Sequence, residues 1–124
     1  MTLRQIHADF AWVVVVTNAV VGLWALAAHY REPLRVPALW RSTLIAEITI
    51  VVEVALGVAL VAIEDFEVAQ FHAFYGFIAL ATVGIIYSYR QQVAEHRHLL
   101  YGLGGLFLMG LALRALTISP VPIP

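Results

Sequence analysis

The sequence contains no cysteine and no lysine. Without thiols there is no disulfide, no thiolate metal centre and no thiol redox chemistry, and the absence leaves the compartment open. Without lysine, the fixed cations are seven arginines against eight acidic residues, a net charge of −1, so nothing favours a nucleic-acid partner. Charge of either sign is scarce, 12% of residues, whereas 62% are hydrophobic and mean hydropathy is +0.89. A soluble domain is usually about half apolar, and this chain exceeds that clearly. The composition therefore predicts an integral membrane protein with the lipid bilayer as its first partner.

Crossing a hydrocarbon core about 30 Å thick takes roughly 20 helical residues. Runs of that length are expected at residues 3–29, 40–63, 68–89 and 98–118. Lipid offers no partner to unpaired backbone groups, so these runs must be helices. The expected fold is all-α, a single transmembrane four-helix bundle running up-down-up-down, with short loops and no soluble domain. The first run is longer than a signal-peptide core, has no small-x-small cleavage pattern and precedes further spans, so it is expected to stay in the mature protein. Arg31, Arg35 and Arg41 flank the first connection, and Arg90 and Arg97 the third. The second connection, IEDFEVAQ, carries Glu64, Asp65 and Glu67 and no base. The positive-inside rule then puts both arginine loops in the cytoplasm and both termini outside, although Arg4 opposes that orientation. Pro33 and Pro37 are expected to end helical continuity in the first loop, and Pro120, Pro122 and Pro124 to stop the last span. Thr2 and Gln5 form a capping-box pattern that lets the first helix start before His7.

Three segments open alike: HADFAW at residues 7–12, HAFYGF at 72–77 and HLLYGL at 98–103. Each has a histidine, an aromatic residue three positions on, and then a small residue. Each also heads a stripe at helical spacing. These are His7, Ala11, Val14, Asn18, Gly22, Ala25 and His29 on the first helix; His72, Gly76, Ala79, Val83 and Ile86 on the third; and His98, Gly102, Gly105, Met109 and Ala112 on the fourth. Two readings stand. Histidine and aromatic residues favour the membrane interface and small residues favour close packing, which explains the hexapeptide without a ligand. Alternatively, imidazoles from two helices at equal depth are axial ligands of a haem iron, with Gly76 making room for the ring. In the expected topology, His7 and His72 share the outer leaflet and are the candidate pair. His29 and His98, at the inner ends, form a second and weaker candidate pair. Glu95, His96 and His98 lie in a polar loop with no surroundings that favour zinc.

The order of these features resembles one half of a haem A synthase, or more loosely a cytochrome b-type four-helix membrane bundle. His7 opens one helix from outside and a basic loop, Arg31 to Arg41, follows. The next helix carries a glycine in EVALGVALV at residues 53–61, and His72 opens the third helix from outside. The resemblance covers about 85 residues. It implies haem b, with His7 and His72 as iron ligands. Hydroxylase activity is not implied: Arg4 and Ala8 stand where the synthase pattern has glutamate and arginine, its paired cysteines are missing, and only one half is present.

Glu53 and Asn18 are expected near the midplane. A carboxyl there must be protonated or partnered, and Asn18 is its expected partner, either as an interhelical hydrogen bond or as part of a proton relay or quinone contact. Glu47 is expected nearer the cytoplasmic end, reaching Arg41 or water in a structural role. Arg114, one turn from the outer end of the fourth helix, is able to snorkel or to meet a haem propionate. Two functions follow. One is a haem b-binding electron-transfer protein or subunit of the cell membrane, exchanging electrons with a quinol and other respiratory subunits. The other is a cofactor-free accessory or assembly subunit of a larger respiratory or transport complex. Neither fixes the oligomeric state, and a transporter would require oligomerisation, since four unbroken helices leave little room for a gated path.

Overall fold

The computed structural model describes residues 1–65 and 70–118. Glu67 of the acidic loop, the first residues of the expected third span and the three terminal prolines lie outside them. The described chain forms four α-helices: α1 Leu3–Tyr30, α2 Pro37–Glu64, α3 Gln70–Tyr89 and α4 Arg97–Thr117. Short 3₁₀ turns, Glu32–Leu34 and Ala94–His96, make the first and third connections, and no strand occurs among the described residues. All four helices are long and apolar enough to cross a membrane.

Local chemistry sets the helix ends. At the start of α1 the Gln5 backbone N–H donates to Thr2 Oγ1 at 3.1 Å, and the Thr2 N–H donates to Gln5 Oε1 at 3.0 Å, a reciprocal capping box. At its other end, Arg35 Nε donates to the Ala28 carbonyl at 2.7 Å and Nη2 to that of His29 at 2.8 Å. Those carbonyls have no partner within the helix, and the guanidinium supplies one. Trp24 Nε1 donates to the Leu34 carbonyl at 3.1 Å and holds the turn against α1. As expected, α-helical continuity is interrupted in the loop that holds the two prolines, between Tyr30 and Pro37. Pro33 sits inside the 3₁₀ turn and Pro37 is the first residue of α2, where a missing N–H is harmless and a fixed φ is already helical. So α2 begins three residues before Trp40. It ends at Asp65, which takes a left-handed conformation with φ 57° and donates its N–H to the Leu60 carbonyl.

The bundle is organised around α1, which packs most extensively on α4 and next on α2, while α3 rests mainly on α4. Contacts between residues far apart in sequence show that these neighbours are antiparallel. Asn18 meets Ala46 across α1 and α2, Leu26 meets Gly102 across α1 and α4, and His72 meets Ala115 across α3 and α4. The α1–α4 contact is backbone on backbone. A methyl group at Gly102 would fall 2.7 Å from the Leu26 nitrogen, one at Gly22 would fall 2.9 Å from the Leu106 nitrogen, and one at Gly105 would fall 2.9 Å from the Gly22 Cα. Side chains beyond hydrogen would hold the helices apart, as in other small-residue seams. Around the seam, Val14, Ala25, Ala28, Leu39, Ile50 and Leu108 make the buried core. Hydroxyls inside the bundle bond back to their own helices, Thr43 to the Leu39 carbonyl at 2.9 Å and Thr49 to that of Ala46 at 2.6 Å. Most other helix surface is exposed and apolar, with Phe71, Phe74 and Phe77 turned outward on α3.

The seam predicts a sharp contrast between glycines. Gly102→Val should lower stability by at least the 1–3 kcal/mol or so typical of overpacking. Gly84→Ala, where an added methyl meets nothing within 4 Å, should be neutral or slightly stabilising. Thermal unfolding in mild detergent measures both; equal midpoints would remove the seam from the account.

Candidate functional site

The end of the bundle where α1 begins brings three helices to one polar cluster. His7 lies one turn into α1, and its ring sits over Gly57 of α2, where a Cβ would fall 3.2 Å from the ring's Cε1. The glycine in the valine- and leucine-rich run of α2 is thus the space the imidazole occupies. His7 Nδ1 is 3.1 Å from Glu53 Oε1, and both side chains are 14% exposed. The pair is at ion-pair distance without hydrogen-bond alignment, and neither atom makes a hydrogen bond to another described residue. His72, in the first turn of α3, faces His7 with ring centroids 6.1 Å apart and planes at 82°. Its Nδ1 lies 3.0 Å from the Ala115 carbonyl oxygen of α4. A carbonyl only accepts, so Nδ1 carries the proton and a neutral His72 presents the Nε2 lone pair.

Each histidine therefore turns Nδ1 toward an oxygen, a carboxyl for one and a carbonyl for the other, while the Nε2 side of the His7 ring lies over Gly57. An oxygen beside one ring nitrogen is what metal-bound imidazoles show, because that partner fixes the tautomer and the ring orientation. Two imidazoles on opposite sides of one metal, each about 2 Å from it, have ring centres roughly 6 Å apart. The donor types and the spacing of His7 and His72 fit a haem iron. Gly76, one turn further along α3, meets nothing within 4 Å where a Cβ would stand. It leaves open space beside His72 and is not a packing contact.

The other residues singled out by sequence fall differently. Asn18 is 2% exposed, but its Nδ2 donates to the Val14 carbonyl at 2.9 Å and to the Ala46 carbonyl at 3.4 Å. Glu53 instead reaches His7, because the α1–α2 register sets Asn18 opposite Ala46. Thr17 and Thr49, whose hydroxyls are 3.4 Å apart, record the same register. Arg114 is exposed at the histidine end of α4, and its Nη1 donates to Thr117 Oγ1 at 3.5 Å. His29 and His98 are not brought together as ring partners. His29 stacks near Tyr30 and lies 6.2 Å from the exposed His96, while His98 packs 5.0 Å from Trp40. Arg97 covers the same indole at 4.6 Å. The 3₁₀ turn at Ala94–His96 separates the directions of His96 and His98, and among the described residues no three histidine or acidic side chains converge as a metal site.

Sequence reasoning undervalued Glu47. It points inward between α1, α2 and α4 and lines a cavity with room for about one water, together with Asn18, Thr43 and Tyr101. Its position four residues after Thr43 and three before Ile50 places it on the inward stripe of α2, a signal available in the sequence.

Compared with known protein families, characterised proteins and solved structures, the chain matches none.

The His7–Glu53 contact predicts energetic coupling. In a double-mutant cycle, His7→Ala and Glu53→Ala should couple by about 0.6–2 kcal/mol, the range of interhelical polar contacts. Asn18→Ala and Glu53→Ala should add to within about 0.5 kcal/mol. Unfolding in a mixed-detergent titration reads both cycles, and coupling in the second but not the first would restore Asn18 as the partner.

Proposed function

We propose that this chain is a multi-pass protein of the cell membrane that binds haem b between His7 and His72 and serves in electron transfer, either alone or as a subunit of a respiratory complex. The single observation that supports it most is the paired histidines at 6.1 Å, each with Nδ1 directed at an oxygen. In this reading both termini and the histidine cluster face the outside, as the arginine distribution favours.

A haem held there would supply reversible one-electron chemistry. The chain's own residues supply everything else. Ala115, through its carbonyl, fixes the tautomer and direction of His72. Glu53 holds His7 from its Nδ1 side and so orients the imidazole as a donor. Gly57 accommodates the His7 ring, and Gly76 leaves room beside His72. Arg114, exposed at the same end of the bundle, supplies a cation for carboxylates of the bound group. A quinol is the proposed electron donor, since apolar helix faces give a lipid-soluble reductant access without a soluble docking domain. The exposed phenylalanine row of α3 also favours a second reading, a cofactor-free subunit that packs this lightly held helix against a larger complex.

Visible absorption separates the two readings. Protein purified from haem-replete cells in mild detergent should show a Soret band and the sharp reduced bands of six-coordinate haem. His7→Ala and His72→Ala should each abolish the six-coordinate spectrum, Gly76→Leu should lower haem occupancy severalfold, and His98→Ala should change nothing. Freshly purified wild-type protein without Soret absorption would contradict the haem reading and leave the packing one.

A further inference from the structure

A second polar centre lies deeper in the bundle and does not depend on haem. Glu47 Oε2 is buried and has no hydrogen-bond partner among the described residues. It borders the cavity formed by Asn18 and Val21 of α1, Thr43 and Ala46 of α2, and Tyr101 of α4, with Ile86 of α3 closing the side. None of the ion pairs among the described residues involves Glu47; these join His7 to Glu53 and Arg35 to Glu32. Tyr101 is the only other titratable residue lining the cavity, and it contributes a hydroxyl and no positive charge. An isolated carboxylate in such surroundings is strongly disfavoured, whereas the acid form needs one acceptor for its O–H and tolerates one donor on its carbonyl. Asn18 spends its Nδ2 hydrogens on the Val14 and Ala46 carbonyls, which leaves its Oδ1 able to accept, and Thr43 spends its hydroxyl proton on the Leu39 carbonyl. The Thr43 oxygen still has lone pairs to accept with, and Tyr101 is able both to donate and to accept.

We propose that Glu47 is a proton-binding site, held as the neutral acid, with one water molecule in the cavity joining its Oε2 to the polar groups of Thr43 and Tyr101. A water satisfies the need where no side chain does, because the cavity has room for about one and Glu47, Thr43 and Tyr101 offer it polar partners. The site is set apart from the outer cluster. Val14 on α1 and Ile50 on α2, 4% and 3% exposed, lie along their helices between this centre and the His7–Glu53 pair. Proton exchange is therefore directed to the end of the bundle that carries Trp40 and His98, where Tyr101 packs 5.3 Å from the Trp40 ring.

Infrared difference spectroscopy of the full chain in lipid nanodiscs tests this without haem. Wild type minus Glu47→Gln at neutral pH should show one carbonyl stretch of a protonated carboxylic acid, which shifts down in D₂O within minutes. Tyr101→Phe retains the carboxyl and should move the same band to higher frequency, as a hydrogen-bonded water is weakened or lost. If Glu47→Gln does not fold, the Tyr101→Phe minus wild-type spectrum carries the same band shift. Carboxylate stretches in place of the acid band would overturn the proposal, as would an acid band that fails to exchange or is unmoved by Tyr101→Phe.

Discussion

The contact on which the rest of the structure depends is the backbone approach of α1 to α4 across Gly22, Gly102 and Gly105. The stripe works by what it lacks: with no side chain between them, the two helices touch along their main chains, and the apolar side chains that flank the seam close over it. This contact fixes the depth of α1 relative to α4. His72 takes its own level from the Ala115 carbonyl near the end of α4. The separation of His7 from His72, on helices that scarcely share an interface of their own, is thus set indirectly by glycines in the middle of the bundle.

Polar groups follow a single rule throughout. Where lipid or apolar side chains exclude water, each donor and acceptor must find a partner. Hydroxyls turn back on their own helices, Arg35 satisfies the last carbonyls of α1, and Asn18 shares its amide between two carbonyls. Two carboxyls on α2 depart from this pattern. Glu53 meets an imidazole, and Glu47 meets a cavity. They lie on one inward side of α2, six positions apart, with Ile50 between them. One reaches toward the end where α1 begins and the other toward its opposite.

Much of this was legible in the sequence because it depends on spacing along one helix. The stripe read along α1 at helical spacing contains Val14, Asn18, Gly22 and Ala25, all four buried, and Gly22 makes the close approach that a small-residue stripe allows. Apolar run length gave four helices with ends within a few residues of those observed, and Thr2 with Gln5 gave the cap. What failed depends on register between helices. Asn18 and Glu53 are both expected near the midplane, yet the α1–α2 register sets Asn18 opposite Ala46, and Glu53 lies opposite the first half of α1, where it meets His7. His29 and His98, the second candidate pair, make no ring contact with each other among the described residues; His98 sits against Trp40 and His29 against Tyr30. The repeated hexapeptide thus serves two different ends. HADFAW and HAFYGF bring their histidine rings within 6.1 Å, nearly perpendicular to each other, while HLLYGL sets His98 against Trp40 and devotes Gly102 to the seam.

The central claim is that His7 and His72 face each other as a ligand pair, with their rings nearly perpendicular at 82°. Imidazole planes that bind one ferric haem at right angles give a low-spin electron paramagnetic resonance signal dominated by a single, strongly shifted low-field feature, whereas parallel planes give a rhombic signal with three resolved features. The measurement is the low-temperature spectrum of the oxidised, haem-replete protein. The account predicts the single low-field feature; a high-spin spectrum would contradict the pairing of these two histidines, and a rhombic low-spin one their perpendicular orientation.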